Sequence, residues 1–171
     1  LPTRRNISQT RAVYLSCEPA VADTNRQRAP QHTMRRANVW ITLGLCSFYD
    51  AYEFCFTNMP PATDNSYFQF EVNAAGATGF NETITSTSFN AYHNEGDSST
   101  SLAYNTSHDQ AQGTAYQDLA LSVGNDNDQA ASGVLTLYAP SSTTYVKHFT
   151  ANNNSAYVGD NTLQITALTT P

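Results

Sequence analysis

One lysine, Lys147, serves all 171 residues, and only 13% of the chain is charged, against about 25% in an ordinary soluble domain. Ser, Thr, Asn and Gln stand where the charges would be. Such a surface is wetted by neutral hydrogen-bonding groups, as is common in secreted, all-β and virion-surface proteins. The three cysteines, Cys17, Cys46 and Cys55, are odd in number and lack CxxC spacing, so they give neither a disulfide framework nor a zinc site. Cys55 is expected as a small buried or half-buried side chain. Long apolar runs are missing too. Residues 41–46, ITLGLC, are too few to span a bilayer, and residues 1–30 hold no continuous apolar stretch of the kind a signal peptide needs. No GxSxG elbow, HExxH helix or GxxxxGK[ST] phosphate loop occurs, and no residue is assigned a catalytic role.

The charge that is present is divided unevenly. Residues 1–48 hold seven arginines (Arg4, Arg5, Arg11, Arg26, Arg28, Arg35, Arg36) against Glu18 and Asp23, a balance of +5. Residues 49–171 hold Lys147 against twelve acids, a balance of −11, and the two give the net −6. A break this abrupt puts a boundary near Ser47. The arginines lack interleaved aromatics and a helical register, which argues against a nucleic-acid arm. The segment is read as an irregular linker or as a stretch not native to the domain, such as a misread frame or a truncated gene piece. The length beyond it suits a single core.

From Tyr49 the pattern is that of strands. Tyr52, Phe54 and Phe56 share one side of a first strand, ended by the prolines at 60 and 61. Phe68, Phe70 and Val72 alternate with Tyr67, Gln69 and Glu71 in a second, and residues 81–92 form a third around Ile84, Phe89 and Tyr92. Residues 93–117 are polar and read either as a long surface loop or as a short pairing around Leu102 to Tyr104. Leu119, Leu121 and Val123 should share a face of the next strand. The central element is residues 130–150, a hairpin. Gly133, Leu135 and Leu137 face inward on its first arm, residues 140–144 form its link, and residues 145–150 its second arm. Residues 151–155, ANNNS, read as a turn, followed by at most one broken strand around Leu163 and Ile165. No helical period is sustained. The expected fold is an all-β, antiparallel, jelly-roll-like β-sandwich over residues 49–171, with an irregular Arg-rich segment before it.

Candidate sites come from residue type and spacing. His93, Glu95 and Asp97 alternate, so an extended backbone would point all three to one side and offer a metal N and O ligands, with His108 and Asp109 in the same polar region. Asp126 and Asp128 lie in the oxygen-rich run GNDND, which suggests calcium. The calcium-loop order fails, because Ala131 and Leu137 stand where Gly and Glu belong, leaving an Asx-rich turn as the other reading. Ten tyrosines among Asn-rich loops suit a carbohydrate- or receptor-binding surface, and Tyr92, Tyr104, Asn105 and Tyr116 are its candidates. The other reading packs each ring at the rim of the core. Asn6, Asn81, Asn105 and Asn153 match the N-x-[ST] pattern, which recurs by chance in a chain of this composition.

The segments YDAYEFCFTNMPPATD, FNAYHNEGDSSTSLAYNTSHDQAQGT and VGNDNDQAASGVLTLYAPSSTTYVKHFTA together resemble a β-sandwich module of structural or tail-fibre-associated proteins of tailed marine bacteriophages, over about residues 47–165. The resemblance implies a virion component and supplies no catalytic or ligand residues. The chain departs from that pattern at its Arg-rich start and at ALTTP, where a Gly-rich strand would be expected, as though outer strands were missing. The function expected is a non-enzymatic structural or adhesion module. Its partners would be other virion proteins or like subunits, as a homotrimer, and a host-surface glycan, with no nucleic acid and no membrane insertion; no cofactor is expected apart from calcium. A glycan-processing or metal-dependent hydrolase is the alternative, and a gene piece without independent function a further one.

Overall fold

The computed structural model of the chain describes residues 11–15, 41–43, 49–74, 77–158 and 163–169. Ten strands occur among them and no helix: β1 (Arg11–Leu15), β2 (Ile41–Leu43), β3 (Ala51–Met59), β4 (Ser66–Val72), β5 (Thr87–His93), β6 (Thr100–Tyr104), β7 (Gln117–Val123), β8 (Ala131–Tyr138), β9 (His148–Ala156) and β10 (Leu163–Thr169). The all-β class is as the alternation requires. The strands form a four-stranded sheet, β2-β1-β4-β7, and a six-stranded sheet, β3-β8-β9-β10-β5-β6. All pairings are antiparallel except those of β1, which runs parallel to both β2 and β4, a departure from the purely antiparallel expectation. Of residues 1–48, only β1 and β2 are described; Cys17, Cys46 and every arginine of that segment except Arg11 lie outside the described residues.

Period-two patterning closes the core. Phe70 from β4 and Leu119 from β7 meet Leu135 and Leu137 from β8 and Phe149 and Ala151 from β9, with Ile84 at the margin and Phe54, Phe68 and Val72 packed against them. Both sheets therefore contribute to one apolar cluster. Phe70 and Phe149 meet edge to face at 4.9 Å, and Phe56 tilts onto Phe68 at 4.8 Å. Gly133 is the one residue that fits its place in β8. A Cβ there would lie 2.5 Å from the carbonyl oxygen of Asn152 on β9 and 2.8 Å from the Phe56 ring.

Several expectations need correction. Residues 151–155 are the second half of β9, not a turn. Ala151, Asn153 and Ser155 point inward while Asn152 and Asn154 point out, and the Asn153 amide donates to the Leu119 carbonyl at 2.6 Å. An asparagine inside a strand is tolerated because the facing sheet supplies its acceptor. β10 is a full seven-residue strand held between β9 and β5, where a broken one was expected. The second arm of the central hairpin starts at His148 rather than at Tyr145, because residues 139–147 satisfy one another. Ala139 takes a left-handed φ of 42°, Ser142 N donates to its carbonyl, and Ser142 Oγ accepts from Thr144 N and Tyr145 N. Leu119, Leu121 and Val123 do not share one face. A bulge with Ser122 at φ 45° shifts the phase of β7 against β4, and Val123 joins Ala120, Ala131 and Phe68 in a second small cluster. Cys55 is exposed, since alternation that buries Phe54 and Phe56 turns the residue between them outward.

Candidate functional site

The hairpin of β5 and β6 forms one edge of the six-stranded sheet, with Phe89 opposite Tyr104, Ala91 opposite Leu102 and His93 opposite Thr100. Directly paired residues share a face, so these six side chains line one surface. It is open and largely apolar: Leu102 is 80% exposed, Phe89 and Tyr104 44% each. The two rings meet edge to face at 5.1 Å. The strip runs from Phe89 to His93, about 13 Å along the strand at roughly 3.3 Å per residue.

Each end of the strip carries a carboxylate. At one end the Tyr104 hydroxyl donates to Asp109 Oδ2, and loss of that bond on ionisation holds the phenol above its ordinary value, with desolvation and the Asp109 charge adding to it. At the other, His93 Nε2 lies 2.9 Å from Asp97 Oδ1. An ionised carboxylate only accepts, so the imidazole proton sits on Nε2.

Asp109 is placed by the segment after β6, which is pinned at several points. Asn105 N donates to Ser88 O, and Asn105 Oδ1 accepts from Ser107 N in an Asx turn. His108 Nδ1 is 2.6 Å from Asp118 Oδ2, the Gln69 amide donates to the other oxygen of the same carboxylate, and the Tyr67 ring covers the imidazole at 5.9 Å. Beneath them Gln117, fully buried, accepts from Ser86 Oγ at 2.6 Å and donates to His108 O and Asp118 O. Gln110 N closes the group on Ser86 Oγ, and an isolated bridge joins Ile84 to Gly113. Residues 105–116 are thus a braced loop.

The four binding candidates do not converge. Tyr104 lies on the strip, and Asn105 turns the chain beside it. Tyr92 occupies the opposite face of β5, half-buried, with its hydroxyl 3.3 Å from Ser99 Oγ. Tyr116 directly precedes β7 of the other sheet and is bonded to Glu71, a buried carboxyl that desolvation pushes above its usual range while the tyrosine pulls it back.

The metal candidates are also separated. β5 ends at His93, and residues 94–99 form a turn built on Asn94, whose side-chain oxygen accepts from Ser98 N and Ser99 N. The extended backbone that would align His93, Glu95 and Asp97 is therefore replaced by a turn with Asp97 in the left-handed region. Asp126 and Asp128 are exposed in a turn held by Gln129, whose Oε1 accepts from Asp126 N. No three His, Cys, Asp or Glu side chains cluster as a metal site among the described residues.

Phe89 and Leu102 were not among the candidates. The signal for them is the even spacing of Phe89 with His93 (i, i+4) and of Leu102 with Tyr104 (i, i+2), but their union depends on a register that no single strand encodes. Comparison with protein families, with characterised proteins and with solved structures finds no match for this chain.

Proposed function

We propose that this chain is a non-enzymatic β-sandwich adhesion or structural module of a tailed-phage particle, and that it binds host-surface glycan through the Phe89, Leu102 and Tyr104 strip. The observation that carries the binding role is the exposure of two edge-to-face rings and a leucine on one sheet surface, beside a tyrosine hydroxyl anchored by a carboxylate. Aromatic faces give a sugar ring flat apolar area at low entropy cost, and the polar groups at the ends fix its hydroxyls. The phage setting rests on the sequence resemblance, and assembly with like subunits or other virion proteins belongs to the same proposal. A glycan array tests it. Binding without turnover, lost in Tyr104→Ala and kept in Tyr92→Ala, is the expected result; equal binding by both variants refutes the strip as the site.

One observation favours the hydrolase as a second reading. Gln69 stands opposite Asp118 across β4 and β7, so Glu71, two residues on, lies diagonal to Asp118 on the same side of the sheet, where it is buried. A carboxyl that burial pushes above its ordinary range, set diagonal to a second carboxyl, is the kind of pair glycoside hydrolysis uses. Release of new reducing ends that vanishes in Glu71→Gln would establish it, and none from any glycan that binds would remove it.

A further inference from the structure

We infer that the strip selects cationic glycan, a polymer of amino sugars bearing free amines, over neutral and acidic ones. The inference rests on the glycan-binding reading above and adds a charge class to it. Carboxylates bracket the apolar surface: Asp109 stands at the Tyr104 end, and Asp97, 88% exposed, with Glu95 in the same turn, at the His93 end. Across residues 49–158 the one Lys or Arg is Lys147, and its ammonium is spent on the carbonyls of Ser142 and Tyr145 in the connection from β8 to β9. His93 is the strip's own basic group, and Asp97 faces it.

A uronate, sialate or sulfate laid along the strip meets like charge at both ends and, among the described residues, no fixed cation between. An ammonium meets opposite charge at the ends and two ring faces, Phe89 and Tyr104, that attract cations. Charge complementarity therefore names the occupant. Screening by salt should weaken it, because every carboxylate concerned is at the surface.

The test is calorimetric titration of the intact chain, at neutral pH and low salt, with three hexasaccharides: the glucosamine oligomer, its N-acetylated counterpart, and hyaluronan. The glucosamine oligomer should bind on the order of ten-fold more tightly than the N-acetylated one, an advantage lost at high salt, with no binding of hyaluronan. Asp97→Asn with Asp109→Asn should erase the preference, bringing the glucosamine oligomer to the affinity of the N-acetylated one. Asp126→Asn with Asp128→Asn, remote in the turn after β7, should leave the preference intact. Phe89→Ala or, as a second change at a largely exposed position, Leu102→Ser should abolish binding of both.

Equal binding of the two amino-sugar oligomers, still lost in Phe89→Ala, overturns the charge class and leaves the glycan-binding reading standing. Loss of the preference in the Asp126 and Asp128 variant overturns it as well, since attraction would then come from the protein's general negative field. Absence of all binding, unchanged by Phe89→Ala, removes both.

Discussion

Replacing Gln117 by alanine should loosen the braced loop and with it the anchor of Tyr104. The side chain is fully buried and makes three hydrogen bonds: one from Ser86 Oγ, and one each to the carbonyls of His108 and Asp118. Each is worth about 1 kcal/mol net, and a buried polar group left without a partner costs about 1–3 kcal/mol more. His108 O and the Ser86 hydroxyl are the groups stranded, and a cavity remains where the amide was. The loss should total about 3–5 kcal/mol, a large share of the 5–15 kcal/mol typical of a domain. Urea unfolding followed by far-ultraviolet circular dichroism would show it as a lower midpoint at unchanged slope. Ser86→Ala alone should cost about 1–2 kcal/mol, and the double variant less than the sum, with a coupling of about 1 kcal/mol. Limited proteolysis should cut first within residues 105–116. A Gln117→Ala loss below about 1 kcal/mol, or strict additivity with Ser86→Ala, would refute the view that this network braces the loop.

Gly133→Ala should destabilise by about 1–3 kcal/mol or more, because the added methyl meets the Asn152 carbonyl and the Phe56 ring; thermal unfolding checks it. Glu71→Gln should stabilise at neutral pH. The fold raises this carboxyl's pKa, so the stability its neutral form brings is whole below the unfolded value, about 4.3, and is lost as pH rises through the higher folded one. Urea midpoints at about pH 4 and pH 7, just below and well above that value, should show the variant's advantage growing with pH; a constant gap would count against it. Asp109→Asn should bring the Tyr104 phenol back toward its ordinary value in an ultraviolet titration, since the carboxylate is the main cause of its displacement. Native-state alkylation with peptide mapping should modify Cys55, whose thiol is exposed on β3.

Strands whose alternation is written in large apolar residues were legible: Phe54 and Phe56 on β3, Phe68 and Phe70 on β4, Leu135 and Leu137 on β8 all turn toward the core. Strands that bury small or amide side chains were not. Asn153 and Ser155 look like turn residues, and only the Leu119 carbonyl on the facing sheet makes the interior a good place for the asparagine. β6 remained an alternative because a five-residue pairing with one leucine carries little local signal. Within the site, Tyr104 and Asp109 could be named separately from the sequence. Their partner Phe89 comes from β5, and it reaches Tyr104 only through the register of the hairpin.

The interior is divided by the same composition that sets the surface. Around Phe70, Leu119, Leu135 and Phe149 it is apolar; beside them Ser86, Ser88 and Gln117 are buried as well and belong to β5, β7 and the segment leading to β5. Apolar contact is non-directional and would let a loop slide, whereas a buried amide fixes its neighbours to within hydrogen-bond geometry. The polar part lies under residues 105–116, the stretch that must present Asp109 to Tyr104. A chain poor in charge can therefore brace a surface loop chiefly with buried amides and hydroxyls, beside the His108–Asp118 pair, while Asp97 and Asp109 stand at the two ends of the exposed strip.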